Sequence, residues 1–295
     1  MRLIRDIYLE RKSQNRPVIS FEFFPPKTDE GEKNLFEKTI PALMNSSPDF
    51  CSVTYGAGGG TRDKTLGIVD RIQRQFNLVT MSHLTCVNAS QEEIASVLDE
   101  AQSRGIMNIL ALRGDPPGGG DFKKTEGGFE FSHELVRFIK NRGGFGIGTA
   151  GFPEGHIACT QGKQTDWNHL KAKIDQGADF VITQLFFDNQ DYFEFRDYLT
   201  SLGVTVPIFP GIIPILSASQ IKKFTALCGA RIPSAMSEKL DTLKDDDAAA
   251  AEFGIDYASQ QCSELLQAGA PGIHFYTLNK SNSTVRVVEN LRLRA

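Results

Sequence analysis

Eight short apolar runs divide this chain, at residues 18–24, 50–54, 78–86, 106–112, 145–150, 180–187, 206–213 and 273–278. Most lack strict alternation of apolar and polar residues, so they read as strands buried on both faces, as parallel strands are. Helical patterns lie between them. Ser90-Gln91-Glu92-Glu93 is a capping box, followed at helical spacing by Ile94, Val97, Leu98 and Ala101. Asp63 is placed to cap a helix with the stripe Leu66, Val69, Ile72 and Phe76. Tyr192, Phe195, Leu199 and Leu202 form another stripe, closed by Gly203. Strands alternating with helices, without a break in composition, predict one α/β domain over residues 1–295, a (β/α)8 TIM barrel. A doubly wound open sheet is the alternative. The stretch between Ile213 and Ile273 leaves room for two or three extra helices. Asp245-Asp246-Asp247 reads as a solvated helix start, and Leu3, Ile4, Ile7 and Tyr8 as a short helix closing the barrel bottom.

Composition narrows the function. The 295 residues are 40% hydrophobic and 23% charged, with a net charge of -4. That balance argues against nucleic-acid binding, which needs a basic surface. The longest greasy stretch, residues 204–216, carries Pro207, Pro210 and Pro214 and is too short to span a bilayer, and no signal-peptide core is evident. Cys51, Cys86, Cys159, Cys228 and Cys262 show no CxxC spacing and read as buried free thiols of a reducing, cytoplasmic compartment.

Three short motifs mislead. Gly146 to Gly151 matches GxGxxG but lies within a strand run, with Phe152-Pro153-Glu154-Gly155 after it instead of a helix. Gly162-Lys163-Gln164 lacks the upstream glycine and hydroxyl of a P-loop. His133-Glu134 has no second histidine at HExxH spacing, and no metal site is predicted.

The polar residues that stand out sit where strands end. Glu22 ends the first, inside Ser20-Phe21-Glu22-Phe23-Phe24-Pro25-Pro26. Thr54-Tyr55-Gly56 ends the second, His83 and Thr85 the third, and Arg113-Gly114-Asp115 follows the fourth. Ala150, then His156, follows the fifth, with Gln184, Pro210-Gly211 and Tyr276 at the sixth, seventh and eighth. A barrel gathers all of these at its C-terminal mouth, where barrel active sites lie. Taken singly, each has a plain structural reading: a lone histidine such as His83 is more often a satisfied core residue. Together they supply one acid, an Arg–Asp pair and several neutral hydrogen-bonding groups. With no metal cluster, nucleophile elbow or strand-end lysine, this set points to a bound cofactor that carries the hard chemistry.

Taken in order, the segments 20–26, 52–56, 83–86, 112–115, 182–188, 210–214, 231–233 and 274–279 resemble the 5,10-methylenetetrahydrofolate reductase family in its bacterial single-domain form, over essentially the whole chain. The resemblance implies FAD at the barrel mouth and NADH, or less readily NADPH, as reductant. It also implies a ping-pong reaction in which methylenetetrahydrofolate follows NAD+ into the same pocket and leaves as 5-methyltetrahydrofolate. A homo-oligomer is expected. By the same resemblance Glu22 is the general acid that protonates N10 of the folate, and Asp115 is a second catalytic carboxylate near flavin and pterin. FAD contacts fall on Thr54, His83, Arg113, Gly114, Asp115, Ser132, Ala150, His156, Asp166 and Lys173. Substrate contacts fall on Glu22, Gln184, Gln220, Phe224, Tyr276 and Lys280.

A donor acid must hold its proton near neutral pH, and the aromatic and proline residues around Glu22 predict a raised pKa. Lys173 also reads as a solvated helix lysine, and Phe224 as core on a stripe with Ile221 and Leu227. The chain departs from the family at Lys280, where arginine is common, at Phe131-Ser132, where Tyr-Ala is common, and at Phe152, where tyrosine is common. Two other readings stay open: another flavin barrel, such as a proline-dehydrogenase-like amine oxidase, and a folate- or flavin-binding barrel without chemistry.

Overall fold

A computed structural model describes residues 2–55, 62–116, 120 and 122–294. Its eight strands are β1 (Val18–Phe23), β2 (Phe50–Val53), β3 (Val79–Thr85), β4 (Asn108–Leu112), β5 (Gly146–Gly151), β6 (Phe180–Leu185), β7 (Ile208–Ile212) and β8 (Gly272–Tyr276). Each falls on one of the eight apolar runs, β5 and β8 extending one residue beyond theirs, and all pair in parallel in sequence order. β8 returns to β1, with Ser20 opposite His274 and Glu22 opposite Tyr276, so the sheet closes into a barrel. The doubly wound alternative is thereby excluded. GxGxxG is β5 itself.

The helices are α1 (Ile4–Ser13), α2 (Asp29–Asn34), α3 (Ile40–Met44), α4 (Arg62–Phe76), α5 (Gln91–Ser103), α6 (Ser132–Arg142), α7 (Lys163–Asp175), α8 (Asn189–Ser201), α9 (Ala218–Cys228), α10 (Ser234–Thr242), α11 (Asp247–Gln267) and α12 (Asn282–Arg294). A π-helical turn, Leu35–Thr39, joins α2 to α3 just before Pro41, whose missing N–H cannot close the regular ladder. The Ser90 capping box forms at α5, with Ser90 Oγ accepting from Glu93 N and Glu93 Oε2 accepting from Ser90 N. Asp246 caps α11 by accepting from Ala249 N. α4 includes Asp63 in its span, and the side chain of Asp63, expected to cap this helix, lies outside what is described. Three helices, α9, α10 and α11, fill the long β7–β8 connection.

Alternation along the strands sorts the side chains. Phe21, Phe23, Cys51, Val53, Ile109, Ile147, Val181, Ile273 and Phe275 face outward into the helix layer. The lower interior is a plug of Val18, Phe50, Met81, Leu110, Phe180, Ile182 and Phe209. Ile4 of α1 completes the plug from below, as the sequence predicted; full burial of such a side chain contributes about 1.5–3 kcal/mol. Its backbone N–H donates to Asn108 Oδ1 at 2.9 Å, and Asn108 Nδ2 reaches the carbonyls of Arg2 and Thr80. Apolar side chains therefore close the barrel at its N-terminal end, with Asn108 beneath them, and the polar side chains Glu22, Ser52, His83 and His274 sit above the plug.

Candidate active site

Above the plug, the inward positions of β1, β2, β3 and β8 bring Glu22, Ser52, His83 and His274 to a single point. Glu22 is 5% exposed. Its Oε2 accepts from Ser52 Oγ at 3.2 Å and lies 3.3 Å from both His274 Nε2 and His83 Nε2. Ser20 Oγ meets His274 Nδ1 at 2.8 Å and lies 3.4 Å from the Ile273 carbonyl. Ser20 can thus donate to a neutral imidazole, or accept from a cationic one while turning its own proton to that carbonyl.

The chemistry of Glu22 differs from the sequence expectation. Phe21 and Phe23 point outward and do not surround the carboxyl; two imidazoles and a serine do. Burial pushes the carboxyl up. The charge on His83 at 3.3 Å, the hydrogen bond from His274 and the charge on His274 outweigh that push and hold it at about 2. Burial governs only if the histidines are neutral, so the proton belongs to the cluster rather than to Glu22 alone. His83 is no satisfied core histidine, because its buried Nε2 lacks an aligned hydrogen-bond partner.

Sequence reasoning missed His274, Ser52, Thr277 and Asn279 as site residues. Period-two spacing from Tyr276 inward was the available sign for His274. Thr277 Oγ1 donates to the Glu22 carbonyl at 2.7 Å. The Asn279 side-chain amide pairs with both the N–H and the C=O of Phe24, extending the β1–β8 seam past its last strand pair. Leu278 and Asn279 take positive φ angles of 51° and 56° in this turn. Lys280 follows, exposed at the rim. Tyr276 faces inward, but its hydroxyl donates to the Thr183 carbonyl at 2.6 Å, and its ring lies where a side chain on Gly211 would otherwise stand. Burial, with the Glu22 charge, pushes the phenol well above its ordinary range.

A second group gathers beside the first. Asp166 Oδ2 accepts from His156 N at 3.1 Å, and Lys173 Nζ donates to the Ala150 carbonyl at 3.2 Å. Burial lowers the His156 pKa; Asp166 and Asp115 oppose this, while Arg113 and Lys173 add to it. Burial, countered by Asp166 and reinforced by Arg113, brings Lys173 down to about 8, so Lys173 is not an ordinary solvated lysine. Arg113, Asp115, Ala150, His156, Asp166 and Lys173 thus lie in one neighbourhood. Gly114 takes φ +81°, and a Cβ there would stand 2.7 Å from Val87 Cγ1 and 2.9 Å from Thr85 Cβ. Thr85 Oγ1 is buried without a partner.

These features fit FAD. Paired cations suit a diphosphate, Gly114 lets the loop after β4 pack tightly on Val87 and Thr85, and the buried Thr85 hydroxyl, which lacks a partner, is open to a polar group of a ligand. Thr54 sits just beyond β2, and Ser132 opens α6 beside Phe131, which is 46% exposed.

Gln184 is the second-to-last residue of β6, its Oε1 accepting from Leu185 N. Gln220 and Phe224 share the partly exposed side of α9. Phe224 is not on a core stripe, since Ile221 is buried but Leu227 is 70% exposed. The expectation of five buried thiols also needs correction: Cys51, Cys86 and Cys262 are buried, whereas Cys159 and Cys228 are only partly so. A cavity of about 530 Å³ opens at the other end, among Tyr8, Arg16, Tyr192 and Ile208, but it lies below the apolar plug and away from the acid cluster.

Fold and site together define a (β/α)8 barrel whose C-terminal mouth joins one buried acid to a cationic cradle. Residues 8–292 match the family model described as methylenetetrahydrofolate reductase, and the chain belongs to that family. It is 41% identical to a maize protein named methylenetetrahydrofolate reductase (NADH) 1, over 99% of this chain and 51% of that one, so it spans about half the length of such plant relatives. It is 39% identical to the Escherichia coli 5,10-methylenetetrahydrofolate reductase, over 95% of this chain and 93% of that one. Among solved structures, an uncharacterized Clostridium thermocellum protein that binds two copies of 5-methyl-5,6,7,8-tetrahydrofolic acid aligns at TM-score 0.64 and 15% identity, covering 97% of this chain and 99% of that one. Xanthomonas albilineans dihydropteroate synthase aligns at 0.51 and 13%, covering 95% and 93%. At those identities the two structures speak for the fold alone. No helix among the described residues is long and apolar enough to cross a membrane.

Proposed function

We propose that residues 1–295 act as one catalytic FAD-binding barrel that reduces 5,10-methylenetetrahydrofolate to 5-methyltetrahydrofolate with NADH, or less readily NADPH, in a ping-pong reaction. Such a reaction feeds methyl groups to methionine synthesis. The observation that carries this reading is the Glu22 carboxylate on the barrel axis, held between two imidazoles in a family whose named members reduce this folate. FAD, when bound, supplies the hydride relay between nicotinamide and folate. Arg113, His156 and Lys173 would hold its diphosphate, with Thr54, His83, Gly114, Asp115, Ser132, Ala150 and Asp166 completing the cradle.

Glu22 draws the cluster proton and delivers it to N10 of the folate. The bond from N10 to the methylene carbon breaks, leaving a 5-iminium cation that accepts hydride at that carbon. Asp115, exposed at the mouth, favours the cation by its negative charge. Gln184 and Tyr276 line the pterin side, while Gln220, Phe224 and Lys280 meet the outer parts of either substrate. The NADH names of the plant relatives favour that reductant. A cytoplasmic homo-oligomer is the expected setting.

The test is anaerobic. NADH should bleach the flavin of the purified protein, and methylenetetrahydrofolate should restore its colour. In Glu22→Gln, bleaching by NADH should persist while reoxidation by folate slows about 10²–10⁴-fold. Reduction by an amine but not by NADH would point to an amine-oxidising barrel, and a colourless protein that cannot take up FAD would sink the reading.

A further inference from the structure

Cys159, Asp166 and His169 offer three ligand atoms that all lie within 4.8 Å of one another, and no CxxC or HExxH spacing in the sequence marks them. The local fold explains the meeting. Cys159 sits in the loop after β5, where its N–H donates to the His156 carbonyl at 2.8 Å. Gly162, at φ +94°, turns the chain into α7 and leaves the thiol above the first turns of that helix. Asp166 and His169 are three residues apart on α7 and share a face, while Trp167 and Leu170 bury the other face.

We infer that Cys159, Asp166 and His169 form a binding site for a borderline-soft divalent cation, with Zn2+ the best match. A thiolate, an imidazole and a carboxylate are together the donor set of zinc rather than of magnesium or calcium, which take oxygen ligands. Tetrahedral Zn2+, with bonds of about 2.0–2.3 Å, needs donors about 3.3–3.8 Å apart, a small contraction within reach of one loop residue and one exposed imidazole. Asp166 Oδ2 is already oriented by the His156 N–H, which leaves Oδ1 for the cation. Water fills the fourth, outward position. Binding would release the thiol proton and cross-link the loop carrying His156 to the helix carrying Asp166 and Lys173.

The site can be tested without reference to folate chemistry. The full flavin-loaded protein is titrated anaerobically with Co2+, read by tetrahedral d–d bands at wavelengths longer than flavin absorbs, and Zn2+ is then added as competitor. One equivalent should bind and be displaced by Zn2+. Cys159→Ser and His169→Ala should each weaken binding at least tenfold, whereas Cys228→Ser should leave it intact; circular dichroism checks that each variant is folded. Absence of stoichiometric binding, or bands that persist in both site variants, would overturn the assignment.

Discussion

Glu22 owes its negative charge to the imidazoles that meet it and not to the aromatic residues beside it in sequence. With its carboxyl held at about 2 against an ordinary 4.5, it adds stability that is fully present above 4.5 and is lost as pH falls toward 2. Exchanging His274 for glutamine removes one lowering influence while keeping a hydrogen-bonding side chain. In His274→Gln the carboxyl should rise by about one unit or more. The alkaline limb of the folate half-reaction then moves to higher pH, and acid unfolding becomes shallower between 4.5 and 2. Stopped-flow pH profiles and acid melts check both effects; if neither moves, His274 does not set the charge of Glu22. The raised pKa inferred from sequence failed for a specific reason. A strand sends neighbouring residues to opposite faces, and the side chains that meet Glu22 come from β2, β3 and β8.

At the scale of elements, α7 places a lysine whose proton is held less tightly than usual. Lys173, at about 8 against an ordinary 10.5, leaves the folded protein more stable as pH rises through that interval, since the unfolded chain then binds more protons. A bound diphosphate would reverse the balance by favouring the cation. FAD affinity should therefore fall as pH climbs past about 8. Lys173→Met should bind FAD at least tenfold more weakly and lose that pH dependence, as read by flavin fluorescence on titration; a pH profile unchanged by the substitution would remove Lys173 from the cradle. Strands, the α5 cap and the α1 plug were legible because each is written locally, in apolar runs or in fixed short spacings. The meeting of Cys159 with α7 was hidden, because it depends on how one loop turns at Gly162.

Across the whole molecule, an apolar plug separates the sealed end from the chemical end. Asn108 ties the N-terminal segment to the barrel through two hydrogen bonds, to Ile4 and Arg2, and braces β3 through a third, to Thr80, far from the acid cluster. Asn108→Ala should cost about 1–3 kcal/mol, lowering Tm by several degrees, while NADH still bleaches the flavin. An unchanged Tm, or flavin lost without a change in Tm, would contradict this division.

The β1–β8 seam also has a meaning for the order in which the protein is made. β1 leaves the ribosome before every other strand of the barrel, yet its partner on one side, β8, arrives last, after α9, α10 and α11. Until then β1 presents a bare parallel edge, and Glu22 lacks His274. Nascent chains stalled before β8 should be cut readily by protease near β1 and fail to retain flavin, whereas chains stalled well beyond Asn279 should resist and retain it. Equal resistance at both lengths would show that the barrel does not wait for its last strand.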